Sequence, residues 1–205
     1  MTQLLLDIPA QSLVNLGLKE LRSRLLDLIC QGAYQEGDFV LTSGQRSSYY
    51  INGKLVTLHP QGALMVGRLL LEQINPAAAG VAGLTLGADP MVTAVSLVGM
   101  YRDRPLFPLI IRKQAKGHGT KAYIEGVPLP PGSTVTVLED VVTTGQSALQ
   151  AVERLQGAGY QVDQILALVD RQQGGAQLYQ DQGLAFTALF TINDIQAHWA
   201  MLKSQ

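Results

Sequence analysis

Apolar positions recur at helical spacing between Leu16 and Gln31: Leu18, Leu21, Leu25, Leu26, Leu28 and Ile29, with Lys19, Glu20, Arg22 and Arg24 between them. The pattern predicts an amphipathic helix that ends near Gly32. Phe39–Leu41 and Tyr49–Ile51 read as short strands around a turn over Thr42–Ser48. From His59 onward helices and strands alternate. A helix over Gln61–Ile74, stopped by Asn75-Pro76, precedes a strand at Val81–Leu84 and a helix over Asp89–Tyr101. Strands follow at Leu106–Arg112 and Val135–Leu138, then a helix over Ser147–Gly157 and a strand at Gln164–Val169. The turn Asp170–Gly175, a helix near Ala176–Gln182, a strand at Phe186–Phe190 and a helix over Asp194–Leu202 capped by Asn193 complete the chain. Strands spaced by helices predict an α/β fold, a mostly parallel sheet covered on both faces. The elements ahead of His59 are too few for a second core. The expectation is one domain over 1–205, with a small cap over about 1–58 and the α/β core over about 59–205.

The window Val135–Ser147, VTVLEDVVTTGQS, carries the densest chemistry. An apolar β-branched run leads into Glu139 and Asp140, then into Thr143, Thr144, Gly145, Gln146 and Ser147, and a helix-forming segment follows. A turn that opens a helix presents unpaired N–H groups and the positive end of the helix dipole, which suits a phosphate. Carboxylates beside that site would repel the phosphate unless they grip sugar hydroxyls instead. The plainer reading is a strand–turn–helix capped by Thr143 or Ser147, with two solvated acids.

A second window, Arg112–Tyr123, separates two apolar strands yet is polar, and it holds Gly117, Gly119 and the bases Arg112, Lys113, Lys116, His118 and Lys121. Loops this long within a compact domain are usually functional or disordered. A basic stretch by itself is most simply a solvated charge run. Leaving a strand of the same sheet as the acidic pair, it reads better as a flap over an anionic ligand.

Composition sets the outer limits. With 205 residues, 47% apolar and 15% charged, the chain can bury a sizeable core and is not a disordered polymer. A net charge of −1 argues against a nucleic-acid coat or a polybasic membrane binder. The single cysteine, Cys30, excludes an intrachain disulfide framework and a zinc ribbon, and reads as a buried filler in a reducing compartment. No apolar run reaches membrane-spanning length, and the start, MTQLLLDIP, lacks a basic leader and breaks at Pro9. A soluble, cytoplasmic protein is expected.

The Val135–Ser147 window resembles the phosphoribosyl pyrophosphate (PRPP) signature of type I phosphoribosyltransferases. Three more windows resemble the orotate phosphoribosyltransferases within that group: Phe39–Lys54 (FVLTSGQRSSYYINGK), the flap Arg112–Gly119, and Val169–Gly175 (VDRQQGG). All four fall in the family's order, so the resemblance spans almost the whole chain. It implies transfer of the phosphoribosyl group from PRPP to N1 of orotate, giving orotidine 5′-monophosphate and pyrophosphate through an oxocarbenium-like transition state. It further implies Mg²⁺ bridged by PRPP without direct protein ligands, and a homodimer whose flap reaches the neighbouring site. Carried over by position, Glu139 and Asp140 hold the ribose hydroxyls, Thr143 contacts the pyrimidine, and Thr144, Gly145, Gln146 and Ser147 cradle the 5′-phosphate. Arg171 pairs with the orotate carboxylate, and Ser43, Gly44 and Tyr50 surround the base. Arg112, Lys113, Lys116 and His118 embrace pyrophosphate, and Lys113, Lys116, His118 and Asp140 form the catalytic set.

One version of the family carries a lysine where this chain has Thr42 and another in the loop where this chain reads Thr85-Leu86-Gly87-Ala88-Asp89; Lys54 is the candidate to lend charge instead. Two other readings remain. One is a type I enzyme with another base, which an acceptor screen separates. The other is a PRPP-sensing regulator without catalysis, against which the intact flap cations argue. An end at Gln205 leaves no room for a fused decarboxylase, so the transferase step alone is expected.

Overall fold

The computed structural model describes residues 10–40, 46–116 and 123–204. The cap comes first: α1 (Ala10–Asn15), α2 (Leu18–Leu28), the hairpin of β1 (Tyr34–Val40) and β2 (Arg46–Ile51), and the one-turn α3 (Lys54–Thr57). The helix of α2 ends close to Gly32, as expected, by way of a π-helical turn, Ile29–Ala33, that buries Ile29, Cys30 and Ala33. The hairpin strands are longer than the apolar pattern indicated, because β1 is mostly exposed and its middle, Gln35–Asp38, is polar without alternation. Ser47 and Ser48 belong to β2 and not to the turn; residues 41–45 lie outside the described residues.

The core then alternates: α4 (Pro60–Leu71), β3 (Ala78–Leu84), α5 (Asp89–Tyr101), β4 (Phe107–Ile111), β5 (Ile124–Gly126), β6 (Thr134–Val142), α6 (Gln146–Gly157), β7 (Gln164–Asp170), α7 (Gly175–Asp181), β8 (Ala185–Thr191) and α8 (Ile192–Lys203). The six-stranded sheet runs β5-β4-β3-β6-β7-β8. All neighbours are parallel except β4 and β5. β5 has three residues and no apolar alternation, so periodicity missed it. It makes the basic window the connection of an antiparallel pair, whose ladder continues as Arg112 N–H donates to the Tyr123 carbonyl at 2.8 Å.

Two apolar layers sandwich the sheet. One includes Leu21, Leu25, Val66, Leu70, Val92, Leu138 and Leu168, contributed by α2, α4, α5 and one sheet face. The other includes Val135, Val137, Ala148, Val152, Leu155, Ile165 and Tyr179, beneath α6 and α7. The cap of α8 corrects the sequence expectation. Thr191, not Asn193, is the capping residue: its hydroxyl accepts from Asp194 N–H at 3.2 Å while the Asp194 carboxylate accepts from Thr191 N–H at 2.8 Å. That reciprocal pair satisfies two orphan donors, and a cap at Asn193 offers no such return contact.

The strand order reverses between β3 and β6, since the chain runs outward in one direction from β3 to β4 and in the other from β6 to β7. Pairing of β3 with β6 ends at Ala82 and Val137, while β6 continues to Val142 against β7. A crevice therefore opens beyond the carboxyl ends of these two strands, the place where open α/β sheets bind ligands.

Candidate active site

Glu139 and Asp140 lie on the part of β6 that overruns its pairing with β3, so both are inside the strand and not in the turn after it. Each is largely buried, at 8% exposure. Asp140 is hemmed by two backbones: a Cβ on Gly87 would come within 2.5 Å of its Oδ1, and one on Gly53 within 3.1 Å of its side chain. A Cβ at Gly87 would displace the Asp140 carboxylate and one at Gly53 would press on it, so glycine at both places lets the loop after β3 and the start of α3 close on this acid without moving it. That loop holds the cis peptide Thr85-Leu86, and its Thr85 hydroxyl donates to Asp89 Oδ2 at 2.7 Å.

Glu139 faces a small pocket of about 70 Å³ lined by Val141, Val142, the turn Thr143–Ser147 and Tyr179. Its Oε2 is buried with no hydrogen-bond partner. Burial pushes its carboxyl up to about 8, helped by the charge and hydrogen bonding of Asp140, while Lys113 draws it down. A protonated acid at neutral pH therefore waits here for groups that can donate to it, as sugar hydroxyls can.

The turn that follows is shaped by Gly145, whose φ of +87° is left-handed and whose missing Cβ leaves room for the Tyr179 ring, 2.9 Å from where a Cβ would sit. No side chain caps α6. The cap by Thr143 or Ser147 that a plain strand–turn–helix requires is thus absent, and the first-turn N–H groups stay available to an anion.

Across the crevice, Arg171 is anchored in the core edge. Its N–H donates to the Val142 carbonyl at 2.9 Å. Its guanidinium donates to the Tyr49 hydroxyl at 3.2 Å and the Ser47 hydroxyl at 3.2 Å, and sits 4.8 Å from the Tyr49 ring centre. It is buried, and among the described residues its partners are neutral; Asp170 instead accepts from Gln172 N–H at 2.7 Å. A buried cation held only by hydroxyls favours a carboxylate ligand.

The structure gathers most of the expected residues and separates a few. Tyr50 points away from Arg171, exposed and 5.6 Å from the Phe39 ring, while Tyr49 makes the contact. Period-two alternation hides this choice, because either of two adjacent tyrosines fits the motif. Lys54 opens α3 beside Gly53, half-buried. Arg112 pairs with Glu125 at 3.0 Å across the β4–β5 connection. Lys113 and Lys116 are exposed. Ser43, Gly44 and His118 lie outside the described residues.

Sequence reading missed Tyr49, Ser47, Gly53 and Gly87, and also Arg154. This α6 side chain donates to the carbonyls of Arg112 and Lys113, the latter at 3.0 Å, and lies 4.3 Å from the Tyr123 ring centre, tying the base of the basic window to the helix behind the phosphate turn. Nothing in its sequence context marks it out from other helix-surface arginines.

A mostly parallel sheet with its crevice at the reversal of strand order, acids on the overrunning strand and an uncapped helix start beyond them, together with a hairpin cap, is the type I phosphoribosyltransferase fold. The chain is 67% identical over 182 residues to an orotate phosphoribosyltransferase of Nostoc sp., covering 89% of this chain and 88% of that one. It is 62% identical over 190 residues to one of Synechocystis sp., covering 93% and 96%. The Mycobacterium tuberculosis orotate phosphoribosyltransferase in complex with PRPP matches with a TM-score of 0.72 at 32% identity, over 86% of this chain and 99% of that chain. No protein-family model matches. The chain belongs to the orotate phosphoribosyltransferase family, and its activity is the PRPP-dependent conversion of orotate in pyrimidine biosynthesis.

Proposed function

We propose that the crevice between β3 and β6 performs this transfer with the following division of labour. Glu139 and Asp140 accept from the ribose hydroxyls, and the turn Thr143–Ser147 receives the 5′-phosphate on its N–H groups. Arg171, presented by Tyr49 and Ser47, reads the orotate carboxylate, with Thr143 against the pyrimidine and Ser43 and Gly44 as further base contacts; Tyr50, turned toward Phe39, takes no part. N1 of orotate then forms a bond to the anomeric carbon as the bond from that carbon to pyrophosphate breaks, and the N1 proton passes to pyrophosphate or solvent. The negative charge leaves with pyrophosphate, and Arg112, Lys113, Lys116 and His118 stabilise it. Lys54 adds charge from the cap. The observation that carries this reading is the buried Glu139 Oε2 without a partner, beside an uncapped helix start.

Mg²⁺ fits the donor set. Glu139 and Asp140 are hard oxygen donors committed to the sugar, so the ion would ride on PRPP oxygens and water, neutralising pyrophosphate charge. A homodimer is supported by the outer face of α5. Leu58, Leu86, Leu97, Met100, Tyr101 and Phe107 are exposed there. Two adjoining concavities of about 590 and 440 Å³ share Thr93 and Leu97. An apolar face of this extent favours a partner, and its reach to Leu86, in the loop that packs against Asp140, favours a second copy whose flap completes the site. A single domain with its cap over about 1–58 fits the continuous apolar layer from α2 to the sheet. A cytoplasmic setting fits a lone cysteine that is buried, its thiol pushed up to about 12 by burial and then Asp27.

The test is direct: purified protein with orotate, PRPP and Mg²⁺ should deplete the orotate absorbance and release pyrophosphate. Consumption with uracil, hypoxanthine or adenine and not orotate would overturn the reading of Arg171, and no consumption with any base would overturn catalysis.

A further inference from the structure

We propose that Tyr179 is a positioning residue of the phosphoribosyl site, its ring forming the floor under the phosphate turn and its hydroxyl steadying the Glu139 carboxylate once ribose is bound. Tyr179 comes from α7, outside every motif window, and is among the largest fully buried side chains of the protein. Its ring fills the space left by Gly145 and packs 5.0 Å from Phe186. Shape alone would be served by phenylalanine. Yet the residue carries a hydroxyl that is buried with no hydrogen-bond partner, and that state is unfavourable unless a partner arrives.

The partner is at hand. Tyr179 and Glu139 line the same pocket, and in both the outermost oxygen is orphaned. A volume of about 70 Å³ has room for a bridging water between them. Burial, then the nearby Glu139 and Asp170 charges, push the phenol well above its ordinary range, so it remains a donor. An ionised carboxylate gripping a diol gains from such a donor on its far oxygen, directly or across one water. Turn, acid and floor then move as one unit.

This rests on Glu139 holding ribose, and two variants separate the claims. Tyr179→Phe keeps the ring and deletes only the orphaned hydroxyl. The melting temperature of the free protein should stay level or rise. The KM for PRPP should rise by about 5–10-fold while the KM for orotate stays put, the size of one lost charge-assisted hydrogen bond. The acid limb of kcat, which reports the bound complex, should move to higher pH, whereas that of kcat/KM, which reports the free enzyme, should not. An unchanged PRPP KM with an unmoved kcat limb would overturn the role, as would equal loss for both substrates with a lowered melting temperature. Glu139→Gln is the control on the underlying reading. If it weakens PRPP while Tyr179→Phe does not, only the role of Tyr179 fails; if it leaves PRPP untouched, the ribose assignment itself is wrong.

Discussion

Replacing Glu139 by glutamine keeps the shape of the buried acid and removes its titration. In the folded chain the carboxyl holds its proton up to about pH 8, against an ordinary value of 4.5. The folded state therefore binds more protons than the unfolded state between those values. Its contribution to stability is complete below pH 4.5 and is lost as pH rises through 8. At about 1.4 kcal/mol per pH unit the full loss is on the order of 5 kcal/mol, a large share of the total stability of a domain this size. Urea denaturation of both proteins from about pH 5 to 9 reads it out. Near the acid end the two curves should nearly coincide. The glutamine variant should then pull ahead steadily, and the gap should level off above pH 8. A constant gap across the range would mean that Glu139 is already ionised in the free protein, and the account of an acid awaiting donors would fail. The same proton has a second signature. PRPP hydroxyls donate to a carboxylate, so binding at neutral pH should release about one proton in the native protein and none in Glu139→Gln, measured as the dependence of binding heat on buffer ionisation.

Three further outcomes are expected. Arg171→Lys should raise the KM for orotate by about 10²-fold, because an ammonium cannot reproduce a paired contact with a carboxylate, while the KM for PRPP stays within about twofold; equal loss of both ligands would make Arg171 structural. Lys116→Ala should lower turnover by about 10²-fold with an unchanged thermal melt, since the side chain is exposed and its expected work is on the departing pyrophosphate. Leu97→Glu should shift the sedimentation of the native protein toward monomer and reduce activity with it, by burying a charge in an apolar contact; unchanged sedimentation and activity would remove the α5 face as an interface.

The parts of the fold that could be read from residues are those where one physical signal dominates. The helices α4, α5 and α6 and the strands β3, β7 and β8 have uninterrupted apolar patterns and clear breakers, and the structure has them close to the expected bounds. Signals failed where tertiary context decided. β5 exists because β4 offers it an edge, and the extension of β6 through Glu139 and Asp140 exists because β7 pairs with it there. Thr191 captured the cap of α8 through a side-chain exchange with Asp194 that Asn193 could not match. In the candidate site, Glu139, Asp140, Arg171 and the Thr143–Ser147 turn stand out in the sequence because their chemistry is unusual for where they sit. Tyr49, Gly53, Gly87, Arg154 and Tyr179 were not. Each acts by touching a residue distant in sequence, and tyrosines, glycines and a helix arginine carry no local mark of such contacts.

The most direct measurement is a crystal structure of this chain grown with PRPP and Mg²⁺. The ribose 2′- and 3′-hydroxyls should lie within hydrogen-bond distance of Glu139 and Asp140, with the 5′-phosphate on the N–H groups of Thr144–Ser147. A sugar bound elsewhere in the crevice, or a phosphate seated away from that turn, would contradict the account.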